Sequence, residues 1–398
     1  MKIQNDPKAQ KTALLVTCAA ILQMAESFFP QPVPGIKLGL ANMITIVALV
    51  DLGFVSAMEI AVLRTIVSSL LLGTFLTPTF MLSFSSAITS SLAMGAAYAV
   101  ISRMKHPAIS LIGISIIGAV VHNLTQIGLV YLLIIKNEGV FMLLPWLGIS
   151  GVIMGWVTGI IASKVCEKLE DGSETEYEGY EIRLAENAGQ GKNFNKRYIP
   201  GGSFLHGLPA EFKIVSVVAM AVAIFALNNL YSYTVLLCLV LIISMAAGIS
   251  FKEAFGGVKK MGTFILFSFA LPLFFNAGGH VIWALGPVKI TQTGLNTGAL
   301  FAFRLVLLML STDLMIRTTK SENLLKGIET ILKPLKFAGI SGSRASSIIV
   351  SSWMSVPEFW DKAMALVKKF RKDENKGMKN AVSVVSSVIV SLYRQTEI

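Results

Sequence analysis

The sequence predicts an all-α, polytopic membrane protein built from two blocks of spans. Of its 398 residues 54% are hydrophobic and only 14% charged, whereas a soluble globular chain carries roughly a quarter charged residues. The apolar residues gather in runs long enough for a bilayer core, which takes about 20 residues as a helix. The charges that remain lie between those runs. This distribution excludes a disordered or collagen-like chain and argues against a soluble enzyme.

In the first block the apolar runs are Thr12–Phe29, Gly39–Leu52, Ala57–Leu76, Phe80–Val100, Ala108–Ile135 and Val140–Ala162. Each could supply one spanning helix, although the second is short and the fifth has slack. Lys2, Lys8 and Lys11 precede the first run, Arg103 and Lys105 separate the fourth from the fifth, and Lys164 and Lys168 follow the sixth. The other side carries only Lys37, Lys136 and Glu138. Lysine and arginine near span ends collect on the cytoplasmic side, so both ends of the block, and the N-terminus with them, are expected in the cytoplasm of a cell-membrane protein. No small-residue cleavage site follows the first run, which reads as a retained span and not as a signal peptide.

From Lys164 to about Pro200 the composition turns to Glu, Gly, Asn and Lys with few apolar residues. Such a stretch buries too little surface to offset its ordering entropy and reads as a cytoplasmic linker. The expected organisation is therefore a six-span domain over 1–163, a linker over 164–200 and a second domain over 201–398. That second domain has four runs, Phe212–Leu230, Tyr233–Gly248, Met261–Phe275 and Gly294–Ile316, with Lys252, Lys259 and Lys260 between its second and third. A last run, Ala381–Tyr393, would rise only about 20 Å as a helix, so the block has four or five spans.

The 34 Lys+Arg against 23 Asp+Glu leave a formal +11, of which residues 317–380 hold +7. That excess suits lipid headgroups or a cytoplasmic partner beneath the membrane better than nucleic acid. Leu324, Leu325, Ile328, Ile331 and Leu332 recur at helical spacing, and Phe359, Met364, Val367 and Phe370 form a second apolar stripe before a basic cluster. Two amphipathic cytoplasmic helices are expected there. Cys18, Cys166 and Cys238 are far apart and indicate neither a disulfide framework nor a metal cluster.

Ionisable residues at membrane depth are costly and mark function by default. In the first block these are Glu26, Lys37 and Arg64, with His122, Asn123 and Gln126 in the fifth run. His122 and Gln126 share a helix face at i and i+4. Two readings of them stand, a ligand site and a polar seam between helices, and Glu26 with Lys37 could instead be an exposed rim pair. Between Glu26 and Asn42 three prolines at alternate positions, Pro30, Pro32 and Pro34, enforce a stiff extended connection.

Glu26, Pro30, the string Pro34-Gly35-Ile36-Lys37-Leu38-Gly39-Leu40-Ala41-Asn42 and Arg64 resemble the six-span Gx transporter family, historically labelled heptaprenyl diphosphate synthase component I. That family looks like the substrate-binding S components of energy-coupling factor transporters. The resemblance covers about residues 10–165 and implies capture of a small molecule, with Glu26, Lys37, Asn42 and Arg64 as the orienting groups; His122, Asn123 and Gln126 are the further candidate substrate-binding residues from their spacing. The second block resembles the CbiQ-like transmembrane T component of the same transporters. Ser203, Leu205, His206, Leu208, Pro209 and Lys213 match its opening motif, and Arg304, Thr318-Thr319, Leu324-Leu325, Leu332, Pro334 and Leu335 its last span and first coupling helix. This implies a partner pair of cytoplasmic ABC-type ATPases, met through Arg317, Thr318, Thr319, Leu324, Leu325, Lys333, Phe370 and Arg371. One departure stands out: the family ends its coupling helices in small-Arg-small motifs, and the nearest copies here, Phe370-Arg371-Lys372 and Tyr393-Arg394-Gln395, have bulky flanks.

The chain has no Gly-x-x-x-x-Gly-Lys-[Ser/Thr] loop, so ATP would be hydrolysed by partner subunits, and no cofactor or metal is expected in the chain itself. It also has no Asp-Asp-x-x-Asp motif for prenyl diphosphate chemistry. Thr297-Gly298-Ala299-Leu300 partly resembles a covalent flavin-attachment motif, but Leu300 replaces the hydroxyl residue that would carry the flavin. The expectation is a non-enzymatic, fused S–T module of an energy-coupling factor importer for a vitamin-like, isoprenoid or flavin-related compound. Two alternatives stay open. One is a membrane scaffold handling flavin or quinone electrons with an extracytoplasmic flavoprotein; the other is a non-catalytic subunit tied to prenyl diphosphate metabolism.

Overall fold

The computed structural model describes residues 7–26, 39–72, 74–75, 77–103, 110–135, 138–170, 198–260, 262–275, 279–285, 288–332, 344–353, 355–356, 359–360, 386 and 389–390. Six helices form the first block: α1 (Pro7–Glu26), α2 (Asn42–Asp51), α3 (Phe54–Leu72), α4 (Pro78–Ile101), α5 (Leu111–Leu129) and α6 (Leu144–Glu170). The second block holds a short α7 (Phe204–Gly207), α8 (Ala210–Ala226), α9 (Leu230–Ala246), α10 (Phe251–Lys260), α11 (Gly262–Phe275), α12 (Gln292–Arg317) and α13 (Ser321–Leu332). Residues 344–353 form a further helix, α14. Among the described residues five helices are long and apolar enough to cross a membrane: Phe54–Leu72, Thr79–Ile101, Leu111–Leu132, Glu138–Leu169 and Gln292–Arg317.

The expected second span is the first difference. α2 has 10 residues and rises about 15 Å, half of a hydrocarbon core. Its residues Asn42 through Leu49 are all buried, so α2 is wrapped by protein and faces no lipid along that length. Left-handed glycines bracket it, Gly39 at φ 83° and Gly53 at φ 84°, a conformation that a Cβ disfavours. The slack in the fifth run is taken up by a π-helical turn, Val130–Ile135, and a 3₁₀ turn, Glu138–Leu143, ahead of α6. π-Turns insert an extra residue into a helix and re-aim its end.

α5 and α6 approach closely because Gly151, Gly155 and Gly159 recur every fourth residue on α6. A Cβ on Gly155 would lie 2.6 Å from the Ile116 Cα, and one on Gly159 2.7 Å from the Ile112 Cα. This is the small-residue packing that brings helices together where lipid supplies no hydrophobic drive. Hydroxyls bridge the same region, Ser115 to Thr158 at 2.9 Å and, between α4 and α5, Thr89 to Thr125 at 2.7 Å.

Three features were absent from the sequence reading. α6 continues to Glu170, so the first seven residues assigned to the linker extend the last span. The lysines between the second and third spans of the second block lie on or beside α10, which a capping box opens: the Ser250 amide and hydroxyl both donate to Glu253 Oε2, at 2.9 and 2.7 Å. Those two bonds hold the Glu253 carboxyl below its ordinary range. An antiparallel hairpin, β1 (Val281–Leu285) and β2 (Val288–Thr291), joins α11 to α12 and is the sole sheet among the described residues. Of the second expected amphipathic helix, Phe359 and Trp360 are helical; its remainder through Phe370 lies outside the described residues, as does most of Ala381–Tyr393.

The blocks share a core. Ile348, Ile349, Trp353, Val356, Phe359, Ile389 and Val390 are buried in one cluster with Ala13–Val16 of α1, Ile60 of α3 and Val165 of α6. Ser352 donates a 2.8 Å hydrogen bond to the Ala13 carbonyl, and Arg344 reaches Glu59 at 3.6 Å. Residues from the far end of the sequence thus cover the first helix. Nearer the hairpin, Phe301 and Leu305 of α12 join Leu82, Ile127, Val130 and Leu147 in a second shared cluster.

Gly155→Ala is expected to lower stability by about 1–3 kcal/mol through overpacking, read as an earlier thermal unfolding midpoint in detergent. Gly148→Ala, whose Cβ would meet nothing within 4 Å, is expected to leave the midpoint in place.

Candidate functional site

Four helices of the first block bring polar side chains to one place midway through the bundle. Arg64 is buried at 3% exposure near the middle of α3. Its Nη2 donates to Asn42 Oδ1 at 2.7 Å, at the start of α2, and its Nη1 donates to Gln23 Oε1 at 3.3 Å, on α1. One helical turn beyond Gln23, the Glu26 carboxylate accepts the Gly39 backbone N–H and lies close enough to Arg64 to interact electrostatically with it. Gly39 is the hinge of the arrangement: a Cβ there would stand 3.1 Å from Asn42 Nδ2 and 3.8 Å from His122 Cδ2. On α5, His122 Nε2 and Gln126 Nε2 are 3.0 Å apart. Asn123 faces α6, donating to the Leu147 carbonyl at 2.8 Å.

Glu26, Asn42, Arg64, His122 and Gln126, expected to act together, are therefore buried on neighbouring elements, and the rim-pair reading does not hold for Glu26, which is 2% exposed. Asn123 is a polar tie between α5 and α6. Lys37 lies outside the described residues. Gln23 was missed, although its i, i+3 spacing from Glu26 puts the two on one face of α1. Among the described residues Asn42 Nδ2, Arg64 Nε, Gln126 Oε1 and Thr45 Oγ1 are buried without a hydrogen-bond partner. An unmade buried bond costs about 1–3 kcal/mol, so this cluster retains unused capacity to bind a polar ligand.

The second block has its own buried guanidinium. Arg304 of α12 donates to the Tyr233 hydroxyl at 2.6 Å, to Asn228 Oδ1 at 2.7 Å and to the Leu227 carbonyl at 3.1 Å. Tyr233 in turn donates toward the carbonyls of Ile224 and Leu227, at 2.9 and 2.5 Å. The α8–α9 turn is thereby pinned to α12. Gly298 gives the flavin-like tetrapeptide a packing role, since it rests against the Phe269 backbone of α11.

At the opposite end of α12 the residues expected to meet a partner are spent on internal contacts. Arg317 pairs with Asp313 and donates to the Glu253 carbonyl at 2.8 Å. Thr318 and Thr319 are buried and receive Lys213 Nζ, which lies 2.8 Å from the Thr318 carbonyl and 3.2 Å from Thr319 Oγ1. Leu324 is buried in the core shared with the first block. These contacts tie the end of α12 and the start of α13 to α8, α10 and the shared core. Leu325 has a helical backbone on α13, and Lys333, Phe370 and Arg371 lie outside the described residues. His206 of the opening motif anchors the chain before α8, with Nδ1 2.7 Å from Ser203 Oγ and Nε2 2.9 Å from the Ile199 carbonyl.

Residues 15–165 match the family model described as heptaprenyl diphosphate synthase component I, and residues 201–341 match the one described as cobalt transport protein. Curated relatives named energy-coupling factor transporter transmembrane protein EcfT include those of Streptococcus thermophilus, 33% identical over 165 residues, and Thermosediminibacter oceani, 30% identical over 172 residues. These alignments cover 42% and 43% of this chain, which spans 62% and 64% of the relatives' own lengths, in both cases less than two thirds. The protein of Streptococcus equi subsp. equi is 30% identical over 194 residues, covering 48% of this chain and 72% of the relative. The chain belongs to the energy-coupling factor transporter transmembrane protein family, as a multi-pass membrane component.

Lys213→Met is expected to cost about 1–3 kcal/mol, because the Thr318 carbonyl and Thr319 hydroxyl lose a charged donor. Limited trypsin digestion of the purified protein should then cut at Arg317 or Lys320 several times faster than in the parent.

Proposed function

We propose that the chain is a fused capture-and-coupling module of an energy-coupling factor transporter. In this reading the first block binds a small, partly polar molecule and the second block passes on work done by separate cytoplasmic ATPases. The observation that carries it is the seating of α14 and its following residues against α1, through Ser352, Trp353 and Phe359. The element that follows the coupling helix thus rests on the block with the unsatisfied polar cluster, and a displacement at one is felt at the other.

Binding energy can drive such a device only if the ligand favours one arrangement of the blocks over the other. Arg64 is placed for this: its partners come from α1 and α2, so a ligand that engages its remaining Nε–H adjusts the helix that α14 covers. ATPase contact falls to the outward face of α13, where Glu322, Lys326 and Thr330 are exposed at helical spacing, in place of the internal Arg317, Thr318, Thr319 and Leu324. The first block's match to a synthase component is read as shared architecture, because the chain lacks the Asp-Asp-x-x-Asp motif that prenyl diphosphate chemistry needs.

Two experiments test the reading. Co-expression with candidate ABC-type ATPases should yield a complex whose ATP hydrolysis exceeds that of the ATPases alone; neither association nor stimulation would remove the motor. In such a complex Arg344→Ala with Ser352→Ala, worth about 1 kcal/mol each at most, should slow ATP-driven uptake while ligand binding persists, and Arg64→Ala should abolish binding. Equal loss of binding in both variants would sink the division of labour.

A further inference from the structure

In the hairpin between α11 and α12 the first strand, Val281–Leu285, has no polar residue, whereas β2 alternates Val288 and Ile290 with Lys289 and Thr291. In a strand successive side chains point to opposite faces, and an antiparallel ribbon at a protein surface normally alternates apolar with polar residues. Along β1, Val281, Ile282, Trp283 and Ala284 are all exposed, Ile282 at 52% and Trp283 at 51%. Both faces of the strand are therefore apolar and open. A bulge between Val281 and Trp283 adds twist to the ribbon.

Chain position fixes the depth. The hairpin leaves α11 at Phe275 and enters α12 at Gln292, at the end of the bundle away from the polar linker. Two other elements begin at that end, and each carries an exposed aromatic residue in its first turn: Trp146 on α6 and Tyr231 on α9, both at 75% exposure. Met142, exposed in the 3₁₀ turn before α6, lies beside the first. Tryptophan and tyrosine collect at the headgroup level of membranes. His280, Gln292 and Thr293, exposed at the base of the hairpin, supply a polar margin.

We infer that β1 lies in the headgroup and upper acyl layer of the bilayer, as a lipid-docked ribbon in the same belt as Trp146 and Tyr231. Its partner is the lipid surface, which receives both faces of the strand, and the N-terminal end of α12 is thereby tied to one leaflet.

The test is site-directed spin labelling of the full chain in phosphatidylcholine–phosphatidylglycerol proteoliposomes. The background carries Cys238→Ser, because Cys238 is exposed while Cys18 and Cys166 are buried. Trp283→Cys and Ala284→Cys place labels on opposite faces, because their partners Ile290 and Lys289 are consecutive on β2, and Val281→Cys, on the Ala284 face, serves if Ala284→Cys fails to insert. At both faces molecular oxygen should relax the label at least about twofold more than the water-soluble nickel chelate does, at a depth of about 5–10 Å. Preferential access for the nickel chelate at either face would place the ribbon in water and overturn the proposal. Low access for both reagents would mean protein cover and would overturn it equally.

Discussion

A guanidinium inside hydrocarbon must find its partners within the protein, and each block of this chain is arranged around one that does. Water is absent at that depth, so an unpaired charge or an open backbone group costs several kcal/mol. Arg64 meets the requirement by drawing α1 and α2 onto α3 through Gln23 and Asn42. Arg304 meets it by gathering the Tyr233 hydroxyl, Asn228 and the Leu227 carbonyl at the α8–α9 turn. The outcomes differ. Arg304 is also flanked by the Phe301 and Tyr233 rings, with its Cζ 5.5 and 5.9 Å from their centroids, and its surroundings are fully used. The Arg64 surroundings retain an idle Nε and neighbouring idle amide atoms on Asn42 and Gln126. A closed polar network stiffens a fold, whereas one with idle buried atoms carries an uncompensated cost.

The same constraint accounts for what the sequence made legible. Long apolar runs report helices directly, and α3, α4, α8, α9, α11 and α12 overlap the runs that predicted them, although among the described residues only α3, α4, α5, α6 and α12 are long and apolar enough to cross a membrane. Glu26, Asn42, Arg64, His122 and Gln126 could be picked out because a polar residue in such a run is conspicuous. α2 could not be told from a span, since a short helix wrapped by protein is as apolar as one facing lipid. Gln23 escaped because a glutamine near a run's end carries no charge to mark it. The α14 contacts with α1 were illegible for another reason: Ser352 and Ala13 are 339 residues apart in sequence, and no local pattern encodes a partner at that distance. The hairpin was hidden because Val281–Leu285 is too short to register as a run and lacks the alternation that marks a half-buried strand.

Resemblance and structure also assign different weights to the same residues. Lys213 and His206 stood out through a family's opening motif, and Thr318 and Thr319 through its coupling region, which suggested a surface for partners. Their side chains instead make internal bonds that set where α8 starts and where α12 stops. Such residues would be retained by any protein that must hold α13 at a fixed angle to α12, whatever binds α13 from below. A motif shared with transporters thus reports here on how firmly α13 is held at the end of α12.

That rigidity has a further consequence for how the blocks communicate. α13 is held on α8 by Lys213 and by Gly327, whose missing Cβ would stand 3.0 Å from Ala210. α14 is held on the first block by Ser352 and Arg344. The two adjacent helices are joined by Ser346 and Glu329 at 3.0 Å; the polar fastenings of α14 run to the first block, while α13 lies on α8 and reaches the shared core through Leu324 and Ile328. A rotation of one block against the other must therefore change the angle between α13 and α14 or break one of these fastenings. Since the Ser352 and Arg344 contacts are worth about 1 kcal/mol each at most, the pair of helices is the joint that the proposed capture-and-coupling reading would have a ligand move.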